Sequence, residues 1–150
     1  MSLKKQIDVD LKTAMLAGDK TLVTTLRGLK SAILYAEVAK GSREKGLSDT
    51  EIEEVFSKEA KKRQESADLY MQGGNKEKAE AELTEKKVID DYLPTQLSEQ
   101  AIKDLVEQAI SQVGATSSQQ MGQVIGMVKQ KAGTSADGAV IARFAKERLG

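Results

Sequence analysis

The sequence predicts an all-α protein in two parts: an N-terminal four-helix domain with a long antiparallel helical hairpin (residues 1–93) and a small C-terminal three-helix domain (residues 94–150). Three observations lead there. Ala, Leu, Glu, Lys and Gln, the better helix formers, dominate the 150 residues. A single proline interrupts them, at position 94. Apolar residues recur at spacings of three and four, framed by capping residues. Hydrophobic residues at 39% and charged residues at 31% suit a packed core rather than a disordered chain, and with aromatics at only 3% that core must be aliphatic and alanine-rich.

The elements follow in order. The first helix runs from about Leu3 to Ala17, with Ile7, Leu11 and Met15 on one face, and Gly18 ends it. Asp19 caps the second, whose apolar row is Leu22, Leu26, Leu29 and Ile33. Gly41 and Gly46 bracket a polar loop. Ser48 and Glu51 then have capping-box spacing, and Leu47 and Ile52 stand as a hydrophobic staple. They open a third helix whose stripe is Ile52, Phe56, Ala60, Ala67 and Tyr70. Gly73-Gly74-Asn75 makes a short turn into a fourth helix, from about Lys76 to Tyr92, with Ala79, Leu83 and Ile89 inward; two long helices so joined read as an antiparallel hairpin. Pro94 disfavours a helical residue before it, so this helix ends near Leu93 and the domain boundary falls there. Ser98 caps the fifth helix, with Ile102, Leu105, Val106, Ala109, Ile110 and Val113 on its apolar face. The sixth spans about Gln119 to Lys131. Asp137 caps the seventh, which carries Val140, Ile141, Phe144 and Leu149.

Composition excludes whole classes of chemistry. The absence of cysteine removes disulfides, thiolate metal sites and a cysteine nucleophile, and the absence of histidine removes the commonest general base and zinc ligand. No phosphate-binding or dinucleotide fingerprint is present, no pair of carboxylates stands out, and no serine has an assignable base. No catalytic residue, metal site or cofactor is therefore expected. With no apolar leader and no apolar stretch of membrane-spanning length, the expected location is the cytoplasm and no membrane partner is expected. Net charge is zero, which argues against DNA or any wholesale grip on nucleic acid. The charge is uneven, however: residues 1–40 sum to +3, residues 41–92 to −4 and residues 93–150 to +1, so the ends are the better candidates for RNA.

Two stretches invite a closer reading. Lys61-Lys62-Arg63-Gln64-Glu65-Ser66 is dense in charge, and Arg63 falls seven residues from both Phe56 and Tyr70, on the apolar stripe. An inward arginine needs a partner. If the hairpin turns between Gly73 and Gly74, Arg63 faces position 84, so a buried ion pair with Glu82 or Glu85 is expected, fixing the hairpin register; a ligand site is the alternative. The second stretch is Met121-Gly122-Gln123-Val124-Ile125-Gly126. Two glycines four apart share a helix face at about 1 kcal/mol each relative to alanine. Close packing of helices is the first explanation, and close approach of a sugar-phosphate backbone the second. In the second case Gly122, Gly126, Lys129 and Lys131 form an RNA-binding surface, with Lys103, Arg143 and Lys146 nearby.

Taken together, Asp10-Leu11-Lys12, Leu26-Arg27-Gly28-Leu29-Lys30, Lys61 to Ser66, Glu82 and Glu85, Tyr92-Leu93-Pro94, Met121-Gly122 with Gly126, and Ala136-Asp137-Gly138 resemble the YqeY family in order and spacing along nearly the whole chain. The chain departs at Thr134-Ser135, where a basic residue is expected before Ala-Asp-Gly. The family is similar to the C-terminal tail of GatB, a component of the glutamyl/aspartyl-tRNA amidotransferase. The resemblance implies a non-catalytic module that contacts tRNA. A protein-interaction module docking on a translation-related enzyme is the alternative. A third, by resemblance alone, is amidotransferase-associated activity as a carbon–nitrogen ligase with glutamine as amido donor.

Overall fold

The computed structural model describes residues 1–150, which form helices and turns without strands. The chain divides into two compact units, Met1–Leu93 and Pro94–Gly150. No helix is long and apolar enough to cross a membrane.

The first unit comprises α1 (Leu3–Ala17), α2 (Lys20–Lys40), α3 (Asp49–Gln72) and α4 (Lys76–Asp90). Their ends are set by side chains. Ser2, Asp19, Ser48 and Asn75 each accept a hydrogen bond from a backbone N–H of the first turn they precede, relieving donors that a helix start leaves unpaired. Gly74, at φ +76°, makes the sharp return between α3 and α4. The helix before Pro94 stops at Asp90, three residues short of the expected end, and Asp91 to Leu93 run on as turn.

Ile7, Leu26, Leu29, Ile33, Ile52, Phe56 and Ile89 pack into one core. Full burial of side chains of this size contributes roughly 1.5–3 kcal/mol each. Several expected members stay outside. Met15 is 53% exposed, and buried Ala14 takes its place. A strict spacing of four drifts by about 40° per step around an α-helix, so by the second step Met15 has turned away from Ile7 while Ala14 remains beneath it. Leu83 is 41% exposed and Tyr70 37%, because the hairpin beyond Arg63 is closed only by Ala67 and Ala79, both buried.

One core feature lies beyond the sequence-based expectation. Glu37, four residues past Ile33 on the same stripe, is only 2% exposed. Both of its carboxylate oxygens accept hydrogen bonds from Lys4 Nζ, at 3.2 and 3.1 Å. Extending the apolar row of α2 by one more turn would have found it, and a buried carboxylate requires a cation.

The second unit comprises α5 (Glu99–Val113), α6 (Met121–Ala132) and α7 (Gly138–Leu149), with 3₁₀ turns at Ser118–Gln120 and Gly133–Ser135. Ile102, Val106, Ala109, Val124, Val128, Ile141, Phe144 and Ala145 form its core. Ser98 caps α5, and the Asp137 carboxylate accepts from Ala139 N at 2.9 Å, so that it is spent on capping α7. The entry to the unit is tied down: Leu97 N donates to Ser135 O at 2.8 Å and Gln96 Nε2 to Thr134 O at 2.8 Å.

Candidate functional site

The hairpin cluster is built around Arg63. Its Nη1 donates to the Glu59 carboxylate one turn back, and its Nε stands 3.6 Å from Glu85 Oε2 across the hairpin. The 63/85 pairing centres the turn on Gly74. Glu82 takes no part in the ion pairs, and Glu59, absent from the sequence-based expectation, is the nearer partner. Spacing could have supplied it, since a glutamate four residues before an arginine on a helix is a standard pair. The cluster is also less enclosed than expected. The side chains of Arg63, Glu59 and Glu85 keep 18%, 16% and 27% exposure. The guanidinium rests against α2, where a Cβ on Gly28 would lie 3.8 Å from Nη2. This is the geometry of a register clamp wetted at its edge. Lys61 and Lys62 are exposed, and Lys62 pairs with Glu59 at 3.3 Å.

A second contact joins two of the motifs that carry the family resemblance. The Tyr92 hydroxyl donates to the Asp10 carboxylate, which also accepts from Gln6 Nε2 at 2.8 Å. The Tyr92 ring meets Phe56 edge-on, centroids 6.0 Å apart. Burial pushes the phenol well above its usual range, and the hydrogen bond to Asp10 and the charges of Asp10 and Asp91 push it further. The tyrosine therefore stays protonated and serves as a latch between α1 and the end of α4. Asp90 pairs with Lys86 at 2.8 Å, whereas the neighbouring Asp91 has no cation.

The glycines of α6 stand out because nothing covers them. A Cβ added to Gly122 or to Gly126 meets no heavy atom within 4 Å, and neither residue is buried. The expected explanation, close packing of helices, is therefore wrong within this unit. Val124 and Val128 turn inward, and the glycines occupy the opposite, outer face. Lys129, three residues after Gly126, shares that face; its Cε lies 3.3 Å from where a Cβ on Gly138 would stand, so its stem crosses the first turn of α7.

The other cations have settings of their own. Lys131 is five residues past Gly126, about 140° around the helix. Arg143 Nη2 is 3.1 Å from Glu99 Oε2, and its guanidinium lies 4.8 Å from the Phe144 ring centroid. Lys103 stands on α5 one turn from both Glu99 and Glu107, and Glu107 pairs with Arg148, which holds its carboxyl below the usual range. Lys146 is exposed on the last turn of α7. Gly122, Gly126 and Lys129 thus share one face of α6, Lys131 lies around the helix from them, and Arg143 is engaged by Glu99.

A family model described as Yqey-like protein matches residues 4–149. Among curated proteins, the chain is similar to three fungal proteins each named altered inheritance of mitochondria protein 41, mitochondrial. It is 36% identical to that of Eremothecium gossypii over 84 residues, 56% of this chain and 45% of that protein. The corresponding values are 30% over 125 residues for Kluyveromyces lactis (81% and 66%) and 30% over 117 residues for Clavispora lusitaniae (76% and 66%). The matches span about half to two thirds of these relatives' own lengths. The mitochondrial names overturn the cytoplasmic assignment. That assignment rested on a missing apolar leader, and mitochondrial targeting segments are amphipathic rather than apolar.

Proposed function

The chain belongs to the Yqey-like protein family, and from that premise we propose that it is a non-catalytic module that contacts structured tRNA through the outer face of α6. The observation that carries this reading is the pair of uncovered glycines. Gly122 and Gly126 each cost helix stability, and no neighbour within the unit uses the space they leave. A bare helix face admits a sugar-phosphate backbone closer than any side chain would allow, and Lys129 beside it supplies a counter-charge. Structured RNA is read largely by shape and 2′-hydroxyl contacts, so the scarcity of aromatics in this unit is no obstacle.

The test separates fold from function. Gly122→Gln/Gly126→Gln adds two good helix formers in open space, so the melting temperature should rise while affinity for labelled tRNA at low salt falls by about tenfold or more. Lys129→Ala should weaken binding and lower the salt slope by about one, and Lys131→Ala should do neither. Unchanged tRNA binding by the double glycine variant would defeat the proposal.

A further inference from the structure

The geometry points to a second docking surface, on the N-terminal unit, that accepts a basic amphipathic helix of a partner protein. A groove of about 740 Å³ opens between the α1–α2 turn and α4. Its floor is apolar, formed by Ala14, Ala17, Leu22 and Val88. Its rim carries three carboxylates, Asp10, Asp19 and Asp91, and no lysine or arginine lines it.

The charge on this rim is uncompensated. Asp10 accepts from the Gln6 amide and the Tyr92 hydroxyl, and Asp19 accepts from Leu22 N. These donors are neutral, so no cation is paired with either carboxylate, and Asp91 has no cation either. Elsewhere in the unit Asp8, Glu37, Glu51, Glu59, Glu85 and Asp90 pair with cations, while Glu44, Glu54, Glu65, Asp68 and Glu82 stand outside the ion pairs, so the groove is distinguished by three unpaired carboxylates around one apolar floor. The negative character also continues beyond the groove. On α4 the lining residues Thr84, Val88 and Asp91 are three and four apart, and the same face carries Glu80 one turn earlier and Glu77 two turns earlier, neither in an ion pair, with Lys87 the one cation at its edge.

These features select the occupant. An apolar floor flanked by unpaired carboxylates is complementary to apolar residues flanked by lysine or arginine. The anionic face runs along α4 for about 10 Å past the groove, seven residues at 1.5 Å each, which asks for a polymer segment longer than a small amine. A groove between helices is filled most economically by another helix laying its apolar stripe against the floor. RNA is excluded from this surface by charge. The inference concerns residues 1–93 alone and does not rest on the RNA reading of α6.

The full-length protein is titrated, by fluorescence anisotropy, into three labelled helical peptides: leucine/lysine, leucine/glutamate, and serine/lysine of the same charge. The leucine/lysine peptide should bind, the leucine/glutamate peptide should not, and the serine/lysine peptide should bind at least about tenfold more weakly. Thr84→Lys/Asp91→Lys, both at exposed positions, should weaken the leucine/lysine peptide by about tenfold or more, with circular dichroism and melting temperature checking the fold. Glu77→Lys/Glu80→Lys should act in the same direction, and Asp104→Lys, in the other unit, should have no effect. Undiminished binding by both groove variants would overturn the proposal. So would equal affinity for the serine/lysine peptide, or displacement of the leucine/lysine peptide by spermidine but not by sodium at matched ionic strength, which would make the groove a small-amine site.

Discussion

At the scale of single residues, Arg63 shows how partial burial sets the size of an effect. A fully enclosed arginine whose removal strands two carboxylates would cost about 3–5 kcal/mol, and an exposed pair under about 1. Arg63, with Glu59 and Glu85 wetted at one edge, belongs between them. Arg63→Ala should therefore lower unfolding free energy in urea by about 2 kcal/mol, Glu85→Gln by about 1, and Glu82→Gln by less than about 0.5. Equal effects of the two glutamine variants would show that the hairpin register is wrong. Tyr92 makes a different prediction, in pH. Its folded-state pKa is raised above that of the unfolded chain, so its contribution is complete below the ordinary phenol pKa of about 10 and is lost as pH rises from there toward the folded value. Wild type should lose stability more steeply above about pH 10 than Tyr92→Phe, which keeps the ring on Phe56 but has no proton to lose. Parallel denaturation midpoints for the two proteins from about pH 9 to 11 would refute the latch.

At the scale of elements, the glycines divide into those required by the backbone and those that are not. Gly74→Ala should destabilise by about 1 kcal/mol, because φ +76° strains any residue with a Cβ. Gly28→Ala should be neutral or stabilising by up to about 1 kcal/mol, since the new methyl would meet Arg63 at an ordinary contact distance. Thermal melts of the two variants check both signs. Most of the helices are legible because they carry a signal of their own: Ser48, Ser98 and Asp137 mark starts by side-chain chemistry, and Gly18 and Gly41 mark ends, whereas α6 has no side-chain cap. What could not be read was which side of a helix finds a neighbour. Periodicity gives a face, but Leu83 and Tyr70 are exposed because the hairpin there is closed only by Ala67 and Ala79, Met15 has drifted off the buried stripe, and the spacing of the α6 glycines does not tell whether a neighbouring helix covers them. Among the candidate RNA residues, Lys131 is close to the glycines in sequence but lies around the helix from them, and Arg143, on another helix, is tied to Glu99.

At the scale of the whole molecule, the two hydrophobic cores share no residue. We expect a chain of residues 94–150 to fold alone, with the helical circular dichroism and cooperative melt of a three-helix bundle, though at 57 residues its margin should be only a few kcal/mol. A fragment without a helical spectrum would show that the smaller core depends on the larger. Charge segregates along the chain as well. The groove with its unpaired carboxylates belongs to the first unit, and the uncovered glycines with their lysine belong to the second. The Asp10–Tyr92 contact has a last, practical consequence. All three tyrosines, Tyr35, Tyr70 and Tyr92, fall within residues 1–93, and the chain has no tryptophan. Tyrosine emission is thus an optical channel blind to the C-terminal unit. The residue whose hydroxyl is bound to a carboxylate should be the dimmest of the three, and brightening on denaturation would time the release of α1 separately from the loss of helix recorded by circular dichroism.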